Sequence, residues 1–96
     1  MTEEEKSILC DRMAEHLLVL RTTIRLSQAD LAERIGVSRQ TIVAFENKKR
    51  PLPWHIFMSM YLLFSNNRNS YQLMRVYDIA TDELLQYVGV EETEED

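Results

Sequence analysis

The sequence predicts an all-α chain. Proline and glycine are scarce, two of each, and no Val/Ile/Thr-rich alternation runs long enough to build a sheet. Apolar residues recur instead at helical spacing, behind residues suited to capping a helix. Thr2 with Glu5 three positions on has the form of a capping box. It opens a helix through about residue 23 whose stripe is Leu9, Met13, Leu17, Leu20 and Ile24. Ser27 with Asp30 opens a second, short helix to about Ile35, where Gly36 breaks it. Ser38 caps a third through about Glu46, ended by Asn47 and the basic run Lys48-Lys49-Arg50. Pro51 and Pro53 bracket the turn into a fourth, Trp54 to Phe64. Ser65 to Ser70 reads as a polar loop. Tyr71 to about Tyr77 is predicted helical, and Thr81 caps a last helix over Asp82 to Val88. The final EETEED is expected to be disordered.

Ninety-six residues, 45% of them apolar, make one globular unit with a modest core. One cysteine, Cys10, and two isolated histidines, His16 and His55, offer neither a disulfide nor a metal-ligand spacing. No metal or other cofactor is expected. The acidic start, MTEEEKS, is unlike a signal peptide, and the apolar run from Ile56 to Phe64 is too short to span a bilayer. The expected location is the cytoplasm, with no membrane partner.

The net charge of −5 is unusual for a nucleic-acid binder, but it is unevenly spread. Residues 1–18 hold two basic and five acidic groups, and residues 56–96 hold two basic and eight acidic. Residues 19–55 hold seven basic and three acidic, a local net of +4. Screening acts over about 8 Å at physiological salt, so distant acids do not cancel this basic centre.

The informative stretch is Ser27 to Phe45, SQADLAERIGVSRQTIVAF. Two short helices joined by a tight turn approach closely and need particular residues at fixed offsets. Ala32 is small where the helices would cross, Gly36 supplies the positive φ of the turn, and Val37 plugs the angle. Ile42 and Phe45 face inward with Leu31 and Ile35. Arg39, Gln40 and Ala44 then share the opposite side, the face a recognition helix turns to the major groove.

Here the sequence resembles the phage repressor/Cro family, also called the xenobiotic-response-element type of helix-turn-helix. The resemblance runs from about Leu17 to Phe64. It is carried by Leu20-Arg21, Leu26-Ser27-Gln28, Leu31-Ala32, Gly36-Val37-Ser38, Ile42, Phe45-Glu46-Asn47 and Arg50-Pro51. It implies a five-helix repressor-like domain over residues 1–66. To this the sequence adds a C-terminal helical extension for dimerisation over 67–90 and the acidic tail over 91–96.

By the same resemblance, Arg39, Gln40 and Ala44 match base-reading positions. Arg suits guanine O6/N7, Gln suits adenine N6/N7, and Ala packs on a thymine methyl. Gln28 matches a phosphate-touching glutamine that buttresses the recognition helix. Thr41 and Asn47 match phosphate contacts, and Ser38 is a cap first and a phosphate contact second. Lys48, Lys49 and Arg50 add non-specific charge contacts. Arg21 and Glu46 match a structural pair tying the first helix to the end of the third.

Two positions depart from the family. Arg25 and Lys48 stand where glycine is frequent, and a non-glycine residue in the left-handed region costs on the order of 1–2 kcal/mol. Either Asn47 takes that conformation in place of Lys48, or the loop differs.

The fourth helix is greasy all round. Ile56, Phe57, Met60, Tyr61 and Phe64 make a core stripe, and Trp54, Met58, Leu62 and Leu63 add apolar groups on other faces. The C-terminal residues Leu73, Met74, Val76, Leu84, Leu85, Tyr87 and Val88, a second subunit, or both must cover them. The expectation is a homodimer with Met58, Leu62 and Leu63 in its interface.

The function expected is a sequence-specific transcriptional regulator, a repressor, binding a pseudo-palindromic double-stranded operator. The alternative is a protein-interaction module, such as an antitoxin or anti-repressor, in which DNA binding is secondary or lost. An enzyme is not expected, since no phosphate loop, nucleophile arrangement or metal set is present in the sequence.

Overall fold

A computed structural model of the chain describes residues 1–89. The acidic tail expected over 91–96 lies outside the described residues. Seven helices follow one another: α1 (Glu3–Glu15), α2 (Leu17–Thr23), α3 (Gln28–Ile35), α4 (Arg39–Glu46), α5 (Trp54–Ser65), α6 (Arg68–Val76) and α7 (Asp82–Val88). No strand occurs among the described residues, so the all-α expectation is met.

Most helix starts are those the sequence announced. The Thr2–Glu5 and Ser27–Asp30 capping boxes both form, with each side chain satisfying the other residue's backbone N–H. Ser38 Oγ accepts from the Thr41 amide at 3.2 Å, and Thr81 caps α7.

Two boundaries differ. The long first helix is two, because the chain turns at His16 with φ −108° and ψ 12°. No glycine or proline marks the spot. The His16 ring stacks face to face on Tyr77, centroids 3.8 Å apart, and Arg12 donates to the Asp78 carbonyl at 2.8 Å. The turn lets α1 pack on α5 while α2 packs on α6. The second difference is that α6 begins at Arg68, inside the expected loop. Asn67 caps it, its Oδ1 accepting from the Asn69 and Ser70 amides.

The core gathers one row from each helix. Met13, Leu17, Leu20, Leu31, Ile42, Phe45, Phe57, Met60, Phe64, Met74 and Leu84 are fully enclosed. Ser70, buried among them, donates to the Phe64 carbonyl at 2.7 Å and so ties α6 to the end of α5. Cys10 is buried too, and the loss of solvent pushes its thiol pKa up to about 11.

The crowded faces of α5 divide. Trp54 stacks on Phe57 and meets Tyr87 edge-on, with Lys6 Nζ lying 5.5 Å from the Trp54 ring centre and 5.7 Å from that of Tyr87. The C-terminal helix therefore covers the N-terminal end of α5. Tyr61, assigned to the core stripe, is only half-buried. Val76, expected to serve as cover, is 72% exposed on the outer face of α6.

Candidate nucleic-acid interface

The pair α3–α4 is built around Gly36. Its φ of +81° closes α3 in the left-handed conformation, and its amide and that of Val37 both donate to the Ala32 carbonyl. The chain then reverses in two residues and Ser38 starts α4. Leu31 and Ala32 on α3 and Ile42 and Phe45 on α4 are buried, which sets the roll of α4 about its axis.

That roll leaves Arg39 and Gln40 exposed, Ala44 half-buried beside them. The three expected reading residues thus share one side of α4, and Ala44 sits deepest. Thr41 is half-buried, its hydroxyl 2.8 Å from that of Ser38.

A polar chain runs from this face into the core. Arg39 Nη2 donates to Gln28 Oε1 at 3.2 Å, and Gln28 Nε2 donates to Glu46 Oε1 at 3.0 Å. Glu46 in turn receives a two-pronged contact from Arg21, Nε to Oε2 at 2.5 Å and Nη2 to Oε1 at 3.2 Å. The third prong, Arg21 Nη1, donates to the Leu26 carbonyl at 3.1 Å. Arg21 is 8% exposed, so this ion pair is largely desolvated and its fork geometry is held by packing. The structural pair expected from the sequence is therefore present, and it anchors both ends of α4. Glu46 fixes its last turn, while Gln28 reaches from Glu46 to the Arg39 side chain in its first.

Beyond α4 the basic run splits. Asn47 is the C-cap with an ordinary φ of −89°, so it does not take the left-handed conformation. Lys48 does so itself, with φ +58°, and Arg25 has φ +64°. The reason is the hydrogen-bond pattern at the ends of α2 and α4. Arg25 and Leu26 donate back to the Thr22 and Arg21 carbonyls, and Lys48 and Lys49 to the Phe45 and Ala44 carbonyls. That double closure requires positive φ at the first residue of each pair.

Lys48 Nζ ion-pairs with Glu15 on α1 at 2.7 Å, which holds the Glu15 carboxyl below the usual range. Its charge is turned toward α1, whereas Lys49 and Arg50 are exposed, Arg50 lying 5.7 Å from the Phe45 ring centre. Pairing of Lys48 with Glu15 had no signal in the sequence, since a contact between distant helices has no period.

Residues 20–53 match the family model described as Helix-turn-helix. Over that stretch the chain is similar to the helix-turn-helix of phage repressor/Cro-type proteins. The helix-turn-helix is a DNA-binding transcription-regulator domain, and here it extends from α2 through the turn that precedes α5. No curated protein and no solved structure matches the chain. Among the described residues, no helix is long and apolar enough to cross a membrane.

Proposed function

We propose that this protein is a sequence-specific repressor that docks α4 in the major groove as a homodimer. The observation that carries the reading is the Arg39–Gln28–Glu46–Arg21 chain. It holds an arginine fork on the exposed start of α4 and ties that fork to a buried ion pair. Pre-positioning a bidentate donor lowers the ordering cost of binding a guanine edge. Arg39 and Gln40 read bases, and Ala44 meets a thymine methyl. Gln28, Ser38, Thr41, Asn47, Lys49 and Arg50 contact phosphates, with Lys48 joining them once it leaves Glu15. The operator is pseudo-palindromic, its half-sites about one helical turn apart.

Selection of bound sequences from a random duplex pool tests this, with Arg39→Ala/Gln40→Ala alongside. The expected result is a palindromic consensus for the parent, and weak binding without base preference for the variant. If no sequence is enriched and no duplex binds at low salt, α4 is not a reading helix, and a protein partner becomes the better account of the chain.

A further inference from the structure

Ile42 and Phe45 are fully enclosed, and their burial fixes how α4 is rolled. With successive residues about 100° apart, Gln40 and Asn47 then lie within about 10° of the outward direction. Val43 and Ala44 stand about 50° to either side of it, and Arg39 about 90° away on the Val43 side. Val43 is therefore turned outward more squarely than Arg39.

The fold makes little use of this valine. Val43 is half-buried, yet among the described residues it is not one of the apolar side chains packed against the core, whereas Ile35 and Val37 in the adjoining turn are. Its helical neighbours at −4, −3, +3 and +4 are Arg39, Gln40, Glu46 and Asn47, all polar. Nor does it serve the helix itself, since a β-branched residue loses rotamer freedom against the preceding turn. A lone apolar residue on a surface is ordinary. What distinguishes Val43 is its place: it widens the apolar step of Ala44 across the outward side of α4, between Gln40 and the Arg39 fork that Gln28 holds at 3.2 Å.

In the major groove an apolar group of this kind has one counterpart. Thymine alone presents a methyl there, and the other base-edge groups are hydrogen-bond donors or acceptors. A valine pressed against one of those strips it of water and leaves it unpaired.

We infer that Val43 reads a thymine through its 5-methyl group, so that each half-site sets this thymine beside the guanine taken by Arg39. The inference rests on the proposed docking of α4 and adds to it a specificity-determining residue, distinct from Ala44 and its thymine on the opposite flank.

The test starts from the duplex that the parent protein selects. Each half-site thymine is replaced singly by deoxyuridine, which removes only the methyl, and each duplex is titrated with the parent and with Val43→Ala. The parent is expected to lose roughly three- to tenfold in affinity at the thymine beside the guanine, the scale of one buried methyl contact. Val43→Ala is expected to bind the thymine duplex more weakly by a similar factor and to be indifferent to deoxyuridine at that one position. It should keep the parent's response at every other thymine. Its melting temperature should equal or exceed the parent's, because no core contact is lost and alanine favours the helix. A variant that responds to deoxyuridine as the parent does at every position overturns the inference and leaves the DNA reading intact. So does a selected half-site without a thymine beside the guanine, or a variant that melts several degrees lower. A parent that enriches no sequence overturns both.

Discussion

Arg21 and Glu46 show how much can depend on one pair of side chains. Both are about nine-tenths enclosed, and between them they join α2, the α2–α3 turn, Gln28 and the end of α4. Removing one partner from a buried pair leaves the other charged and desolvated, a loss of about 3–5 kcal/mol. Glu46→Ala is therefore expected to lower the stability measured by urea unfolding by about that much. Apolar replacement of both, Arg21→Met/Glu46→Leu, should recover most of it, since no buried charge is then left alone. The same double variant releases Gln28 and with it Arg39. It should keep the fold yet bind DNA with less discrimination, which separates the structural role of the pair from its positioning role.

The helix starts respond to acid in a predictable direction. In α3 the Ser27 backbone N–H and hydroxyl hydrogen-bond with Asp30 and hold its carboxyl below the usual carboxylate range. A depressed folded-state pKa contributes stability above the unfolded value, about 3.9, and that contribution disappears as pH falls through the folded one. Glu15, lowered by Lys48, acts with the same sign on the α1–α4 contact. Urea midpoints measured from neutral pH downward should fall more steeply below about pH 4 for the parent than for Asp30→Asn, because the variant has no proton to gain there. Parallel curves would mean that the capping box closes without the carboxylate charge.

The molecule as a whole divides into a helix-turn-helix that faces outward and an α5–α7 layer behind it. Leu62 projects from the outer side of α5 with 66% of its surface exposed, and Met58 and Leu63 beside it on the same helix are half-buried. A leucine this open, next to two partly covered neighbours, is the surface expected to meet a second copy. Leu62→Glu should leave the melting temperature of dilute protein within a few degrees of the parent. It should also shift the sedimentation of concentrated protein from dimer to monomer, and weaken binding to a two-half-site duplex far more than to a single half-site. A parent that sediments only as monomer at tens of micromolar removes the dimer.

What could be read along the chain was what repeats or punctuates locally. The apolar stripes, the Thr2–Glu5 and Ser27–Asp30 boxes, the Ser38 cap and the Gly36 turn depend on residues within one or two turns of each other, so their spacing carries the information. The roll of α4 followed from the same periodicity, and with it the exposure of Arg39 and Gln40. Asn67 was legible in principle, as a helix-starting residue hidden in a polar run. The break at His16, the engagement of Lys48 by Glu15, the left-handed Lys48 and the outward turn of Val76 were not. Each is settled by a contact between helices far apart in the chain, or by competition among several apolar faces for one core. A one-dimensional pattern shows which residues seek burial or a partner. Which of them obtain it is decided only when seven short helices share a single interior.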